Sequence, residues 1–157
     1  MQITWIEADI LAASHIPADD EMVRSLYEQG IRAIVSLTEY PITSQKTIPR
    51  SLFTDLDITY FHAPIEDGQS PDLTTAQAVV EFIDRMATEG RPTLIHCHAG
   101  IGRTGTMLHF YYLAKGFSLA EAQRTVKSRK PSCAFSGALS DSQRAFLINY
   151  AANQHTT

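Results

Sequence analysis

The stretch His96-Cys97-His98-Ala99-Gly100-Ile101-Gly102-Arg103-Thr104-Gly105 constrains this chain more than any other. Thr93-Leu94-Ile95-His96 reads as a short strand running straight into Cys97. Thr104 to Lys115 reads as a helix that is apolar on most sides, with Met107, Leu108, Phe110, Tyr111 and Leu113. A tight turn between such a strand and such a helix lets successive backbone N–H groups converge, and the helix dipole adds partial positive charge. That geometry holds an oxyanion. The glycines let the backbone curl, and a cysteine at the start of such a ring has its thiolate favoured over its thiol. Arg103, on the rim, can grip two phosphate oxygens with its planar fork, which a lysine cannot copy. His98, Ala99, Gly100, Ile101, Gly102 and Arg103 are therefore the expected phosphate-binding residues. A thiolate aimed at a bound phosphate transfers the phosphoryl group with no metal and no cofactor, provided that the N–H ring and Arg103 stabilise the charge of the transition state.

The rest of the chain supplies a sheet and helices for this loop. Ile3 to Ile6 and Ile10 to Ala12 read as two short strands joined by a turn at Glu7 to Asp9. Asp19 and Asp20 start a helix with Met22, Val23 and Leu26 on one face, ended by Gly30. Ile31 to Leu37 is nearly all apolar and β-branched, as a strand buried on both faces would be. Thr38 to Asp57, broken by Pro41 and Pro49, reads as a loop with at most a short helical turn. A strand over Ile58 to His62, a loop over Pro64 to Asp72 and a helix over Thr74 to Glu89 follow. Helices over Leu119 to Arg129 and about Leu139 to Ala151 close the chain, the last with Phe146, Leu147 and Tyr150 facing inward. The expected fold is α/β, a mixed, mostly parallel central sheet flanked by helices, with the phosphate-binding loop between strand and helix.

No repeat, low-complexity tract or linker divides the sequence, and its 157 residues, 44% hydrophobic, can bury a core without staples, so one domain over 1–157 is expected. Its 13 Lys+Arg against 17 Asp+Glu give a formal charge of -4, which does not attract polyanions. Nucleic acid and membrane are not expected partners. Two cysteines, Cys97 and Cys133, form neither a disulfide framework nor a zinc spacing, which points to a reducing cytoplasm. Met1 to Ala13 does not read as a signal peptide, and a monomer is expected.

The spacing of Cys97, five residues, Arg103 and Thr104 resembles that of the protein tyrosine phosphatase superfamily, particularly its small dual-specificity-like and prokaryotic members. Val35-Ser36-Leu37-Thr38-Glu39, Pro64-Ile65-Glu66-Asp67-Gly68 and Gly102-Arg103-Thr104-Gly105-Thr106-Met107 are similar to further pieces of that family, so the resemblance covers most of the chain. It implies a cysteine-dependent phosphatase that hydrolyses phosphotyrosine, with phosphoserine and phosphothreonine as further substrates in proteins, through a phosphocysteine intermediate. A phosphorylated protein or aryl phosphate would be the substrate and phosphate the product.

The resemblance also implies a general acid on a loop upstream of the cysteine. Asp67, 30 residues before Cys97, is the choice; Glu66 and Asp72 are its rivals, although Asp72 is better placed to cap the helix starting near Leu73. Thr104 matches the Ser or Thr that hydrogen-bonds the departing sulfur in the family. His96 is expected to orient the loop through backbone hydrogen bonds. Small members use a glutamine to position water; here the corresponding stretch is Ser140-Asp141-Ser142-Gln143, without the Tyr-Glu that commonly precedes it, and Gln143 is the expected residue. The catalytic set is thus Cys97, Arg103, Asp67, Thr104 and Gln143.

Two other readings stand beside this one. A phosphatase of a non-protein phosphate ester uses the same residues, although His98, Ala99 and Ile101 add no fixed positive charge for a polyphosphorylated lipid. Gly100, Gly102 and Gly105 also form a G-x-G-x-x-G, with Glu121 beyond, as in a dinucleotide-binding module. Against it, Leu119, Ala122 and Val126 continue as helix where a second strand is needed. Cys133 is either an idle thiol or an oxidative partner of Cys97.

Overall fold

Along the inner strands, successive side chains enter different apolar layers, as a period of two requires. Leu11, Ala13, Ala33, Val35 and Ile95 join one buried cluster, whereas Ala12, Ile34 and Leu94 join the other. The computed structural model describes residues 1–154; residues 155–157 of the expected domain lie outside the described residues. Strands β1 (Thr4–Glu7), β2 (Leu11–Ser14), β3 (Ala33–Ser36), β4 (Thr59–His62) and β5 (Thr93–His96) form one sheet in the order β1-β2-β5-β3-β4. β1 pairs antiparallel with β2 and the other pairs are parallel, the mixed sheet expected from the sequence.

Helices α1 (Asp20–Glu28) and α2 (Ser51–Asp55) cover one face through Val23, Leu26, Leu52 and Phe53. The other face carries α3 (Leu73–Thr88), α4 (Gly102–Ala114), α5 (Leu119–Arg129) and, after a short α6 (Phe135–Ala138), α7 (Asp141–Asn153). Every residue of α4 from Arg103 to Leu113 is buried, as its all-round apolar sequence requires. Asp19 caps α1 through the Met22 N–H, and Asp72 caps α3 through the Thr75 N–H. Asp72 thus takes the capping place expected of it.

The differences from expectation are local. Ile31 and Leu37 are buried but lie outside the four-residue β3. The expected loop from Thr38 to Asp57 contains α2 and a 3-10 turn over Ile42–Ser44, both too short for a helical period to register. The last helix begins at Asp141 because Ser140 is its N-cap.

In the parallel ladders, Ser14 pairs with His96, His96 with Ser36, and Ser36 with His62. These are the last residues of β2, β5, β3 and β4, so the segments that follow all emerge at one sheet edge. Carboxyl ends of parallel strands are where α/β sheets place their ligand-binding loops.

Candidate active site

Between the end of β5 and the start of α4 the chain turns around Cys97, and the carbonyls of the turn are occupied from outside. Cys97 C=O accepts from His96 Nδ1 (2.9 Å), His98 C=O from the Ile16 N–H (3.0 Å) and Gly100 C=O from the Cys133 thiol (3.3 Å). Ile101 C=O accepts from the Gly105 N–H and Gly102 C=O from the Thr106 hydroxyl. The N–H groups of His98 to Gly102 have no protein acceptor among the described residues. Such an array has the donors that an anion cradle of the kind expected from the sequence would use. Gly100 makes it possible: its φ is +77°, and a Cβ there would lie 2.6 Å from the Ser14 carbonyl oxygen.

The chemistry-bearing side chains meet at this loop. Cys97 is buried, and Thr104 Oγ1 donates to its Sγ at 3.1 Å. Arg103, only 4% exposed, donates from one terminal nitrogen to Glu39 Oε1 (2.6 Å) and to the Ile65 carbonyl (2.9 Å). Its other terminal nitrogen lies 3.5 Å from Asp67 Oδ1, and its buried Nε has no partner among the described residues. That edge of the fork is the one left for two oxygens of an oxyanion.

Asp67 stands over the site with its side chain 82% exposed. Its backbone N–H approaches Glu39 Oε2 at 3.4 Å, so one carboxylate orients both the Arg103 fork and the Asp67 loop. The backbone N–H of Glu39 itself, and then the Arg103 guanidinium, hold the Glu39 carboxyl below the ordinary carboxylate range. Glu39 ends the family-like piece Val35 to Glu39, yet the sequence points to no role for it. The available signal was an acidic residue just past an entirely buried strand, at the sheet edge where loops gather.

Gln143 is buried, not the surface residue that a place on the last helix would suggest. Its Oε1 accepts the Ser140 N–H (2.9 Å) and its Nε2 donates to the Gln69 carbonyl (3.2 Å). The amide lies 3.5 Å from where a Cβ of Gly102 would be. Glu66 is exposed, as are His98, Ala99 and Ile101 on the rim of the cradle.

Burial pushes the pKa of His96 down to about 4, so its ring is neutral near pH 7. Because a carbonyl only accepts, the bond to Cys97 C=O assigns the ring proton to Nδ1, and Nε2 accepts from the Ser36 hydroxyl. This matches the orienting role expected for His96. Burial likewise pushes the Cys133 thiol up to about 11, which keeps it a donor to Gly100. Beside Arg103 and His98 opens a cavity of about 420 Å³, walled by Ile16, Tyr40 and Pro41 with Ser44 and Gln45.

Residues 11–117 match the family described as "Tc-R-P: Polymorphic toxin system, DSP-PTPase phosphatase". The human "Dual specificity protein phosphatase 9" is 30% identical over 136 residues, covering 83% of this chain and 34% of the relative. The Arabidopsis thaliana "Phosphatidylglycerophosphate phosphatase PTPMT2" is 27% identical over 130 residues, covering 81% of this chain and 55% of the relative. The chain thus spans a third to just over half the length of these two relatives. Among solved structures, "Crystal structure of Tk-PTP in the active form" superposes with a TM-score of 0.78 at 23% identity over 97% of both chains, a likeness of fold.

Proposed function

We propose, from its place in the DSP-PTPase family of dual-specificity-type phosphatases, to which the chain belongs, that it hydrolyses phosphate monoesters through a phosphocysteine at Cys97. One observation carries this reading: Thr104 bonds the Cys97 sulfur at 3.1 Å in the same turn that holds Arg103, whose buried Nε is unpaired among the described residues. In the first step Cys97 Sγ attacks phosphorus while the bond to the ester oxygen breaks and Asp67 delivers a proton to that oxygen. The N–H groups of His98 to Gly102 and the free edge of Arg103 take up the equatorial charge. In the second step water attacks phosphorus, Asp67 receives its proton, and the sulfur departs as a thiolate stabilised by the Thr104 hydroxyl. Gln143 retains a second amide N–H, beyond the one given to Gln69, with which to direct that water.

The substrate is a phosphorylated protein, phosphotyrosine first. Among the described residues the adjoining cavity is lined by no lysine or arginine apart from Arg103, and Ile16, Tyr40 and Pro41 suit an aromatic or apolar leaving group rather than a second phosphate. Both cysteines are free, which suits a reducing cytoplasm. The similarity to PTPMT2 favours one second reading, a non-protein ester such as a phosphatidylglycerophosphate.

The test is a panel of phosphotyrosine, phosphoserine and phosphothreonine peptides and phosphatidylglycerophosphate vesicles, run with wild type and Cys97→Ser. The expected result is highest kcat/KM on phosphotyrosine and no turnover of any substrate by the variant. Preference for the vesicles would install the second reading, and an active Cys97→Ser would remove the covalent mechanism.

A further inference from the structure

The acid loop is fastened at a place far from it in sequence. Ser140 Oγ donates to the Gly68 carbonyl at 2.7 Å, and Ser142 Oγ donates to the same oxygen at 3.2 Å. Gln143 Nε2 donates to the next carbonyl, Gln69, at 3.2 Å. These two carbonyls directly follow Asp67. Gly68 has a φ of +79°, a conformation that an unsupported segment would readily leave. The donors are themselves rigid: Ser140 and Gln143 form a reciprocal capping box at the start of α7, and Gln143 is 1% exposed against Gly102.

We propose that Ser140 and Ser142, braced by Gln143, are positioning residues that latch the Asp67 loop over the Cys97 cradle. This rests on the reading of Asp67 as the general acid. Glu39 supports the loop from its other side, through the Asp67 N–H and Arg103. Asp67 is strung between two supports beside the phosphate loop: Glu39, which is bonded to Arg103, and Gln143, whose amide lies 3.5 Å from where a Cβ of Gly102 would be. Among the described residues the carboxyl itself has only a 3.5 Å polar contact to Arg103, so its placement comes from the backbone on either side rather than from packing of its own side chain. Proton delivery within hydrogen-bond reach of the leaving oxygen depends on that placement.

The substitution Ser140→Asp separates latching from helix capping. Aspartate accepts the Gln143 N–H as an N-cap but cannot donate to the Gly68 carbonyl, whereas Ser140→Thr does both. Ser140→Asp/Ser142→Ala, Ser140→Thr and Asp67→Asn are compared on phenyl phosphate, a poor leaving group, and p-nitrophenyl phosphate, a good one. Orthovanadate inhibition reports on the cradle. The double variant should lose roughly 10- to 100-fold in kcat on phenyl phosphate, a misplaced acid costing less than an absent one. It should lose much less on p-nitrophenyl phosphate, with vanadate inhibition unchanged, and Ser140→Thr should stay near wild type. Wild-type kinetics in the double variant, or equal loss on both esters, would overturn the latch. If Asp67→Asn shows leaving-group dependence and the double variant does not, only the latch falls. If Asp67→Asn shows none, the acid assignment falls and the latch with it.

Discussion

The loop from Cys97 to Gly102 and the loop from Ile65 to Asp72 meet over one phosphate site, yet they are held in different ways. Carbonyls of the first are taken by partners fixed by the core: the neutral ring of His96, the Cys133 thiol, the Ile16 N–H and the first turns of α4. The second carries the exposed carboxylate of Asp67, and the two carbonyls that follow it are held by side chains at the start of α7. On the proposed mechanism, the difference follows from what each loop does. A cradle that stabilises developing charge gains from donors already in place, which demands partners that cannot shift. An acid that protonates varied leaving oxygens must be presented to the substrate, and that requires exposure together with a tether.

Removing the bidentate fork from the rigid side should have the largest effect. Arg103→Lys keeps the charge but loses the flat edge, and kcat/KM should fall by roughly 10³-fold or more, as with other arginines that stabilise phosphoryl transfer. Retained activity would place Arg103 outside the reaction. Gly100→Ala should come next. A methyl group 2.6 Å from the Ser14 carbonyl oxygen, at a φ of +77°, must push the turn apart. The expected loss is about 10²- to 10³-fold, the worth of a misplaced oxyanion donor, together with weaker vanadate inhibition. Unchanged vanadate inhibition would show that the cradle is less rigid than its partners suggest.

The smallest effect appears in stability. His96 takes up a proton near its ordinary value of 6.5 when unfolded, but only at about 4 in the native chain. As the pH falls through that window the unfolded state binds the extra proton, so stability drops; it is unaffected by this group above the window and levels off below it. The loss is on the order of 3 kcal/mol at most. Thermal unfolding followed from pH 7 to pH 4 should show a shallower decline for His96→Asn than for wild type. Equal slopes would mean that another group sets the acid sensitivity.

Much of the site was legible because its members are adjacent in sequence. Cys97, Arg103 and Thr104 occupy one strand-to-helix turn, where spacing alone suggests geometry. The apolar runs over Ile31 to Leu37 and Thr104 to Lys115 likewise announced a buried strand and a buried helix. Asp67 follows from the family resemblance and its place upstream of Cys97, and its carboxylate lies 3.5 Å from Arg103. The role of Glu39 was not legible, because it depends on a contact with Arg103 across 64 positions. The burial of Gln143 and the bonds from Ser140 to Gly68 are equally long-range products of α7 folding back over the site. Short elements such as α2 were blurred for a different reason, since five residues hold too little of a helical period to be distinguished from a turn.

The covalent role of Cys97 can be observed directly. Wild-type protein mixed with p-nitrophenyl phosphate, quenched in acid during turnover and digested for mass spectrometry, should carry a phosphoryl group on the peptide containing Cys97, and Cys97→Ser should carry none. A burst of p-nitrophenol with no phosphorylated Cys97, or a phosphoryl group on a histidine instead, would contradict the phosphocysteine mechanism.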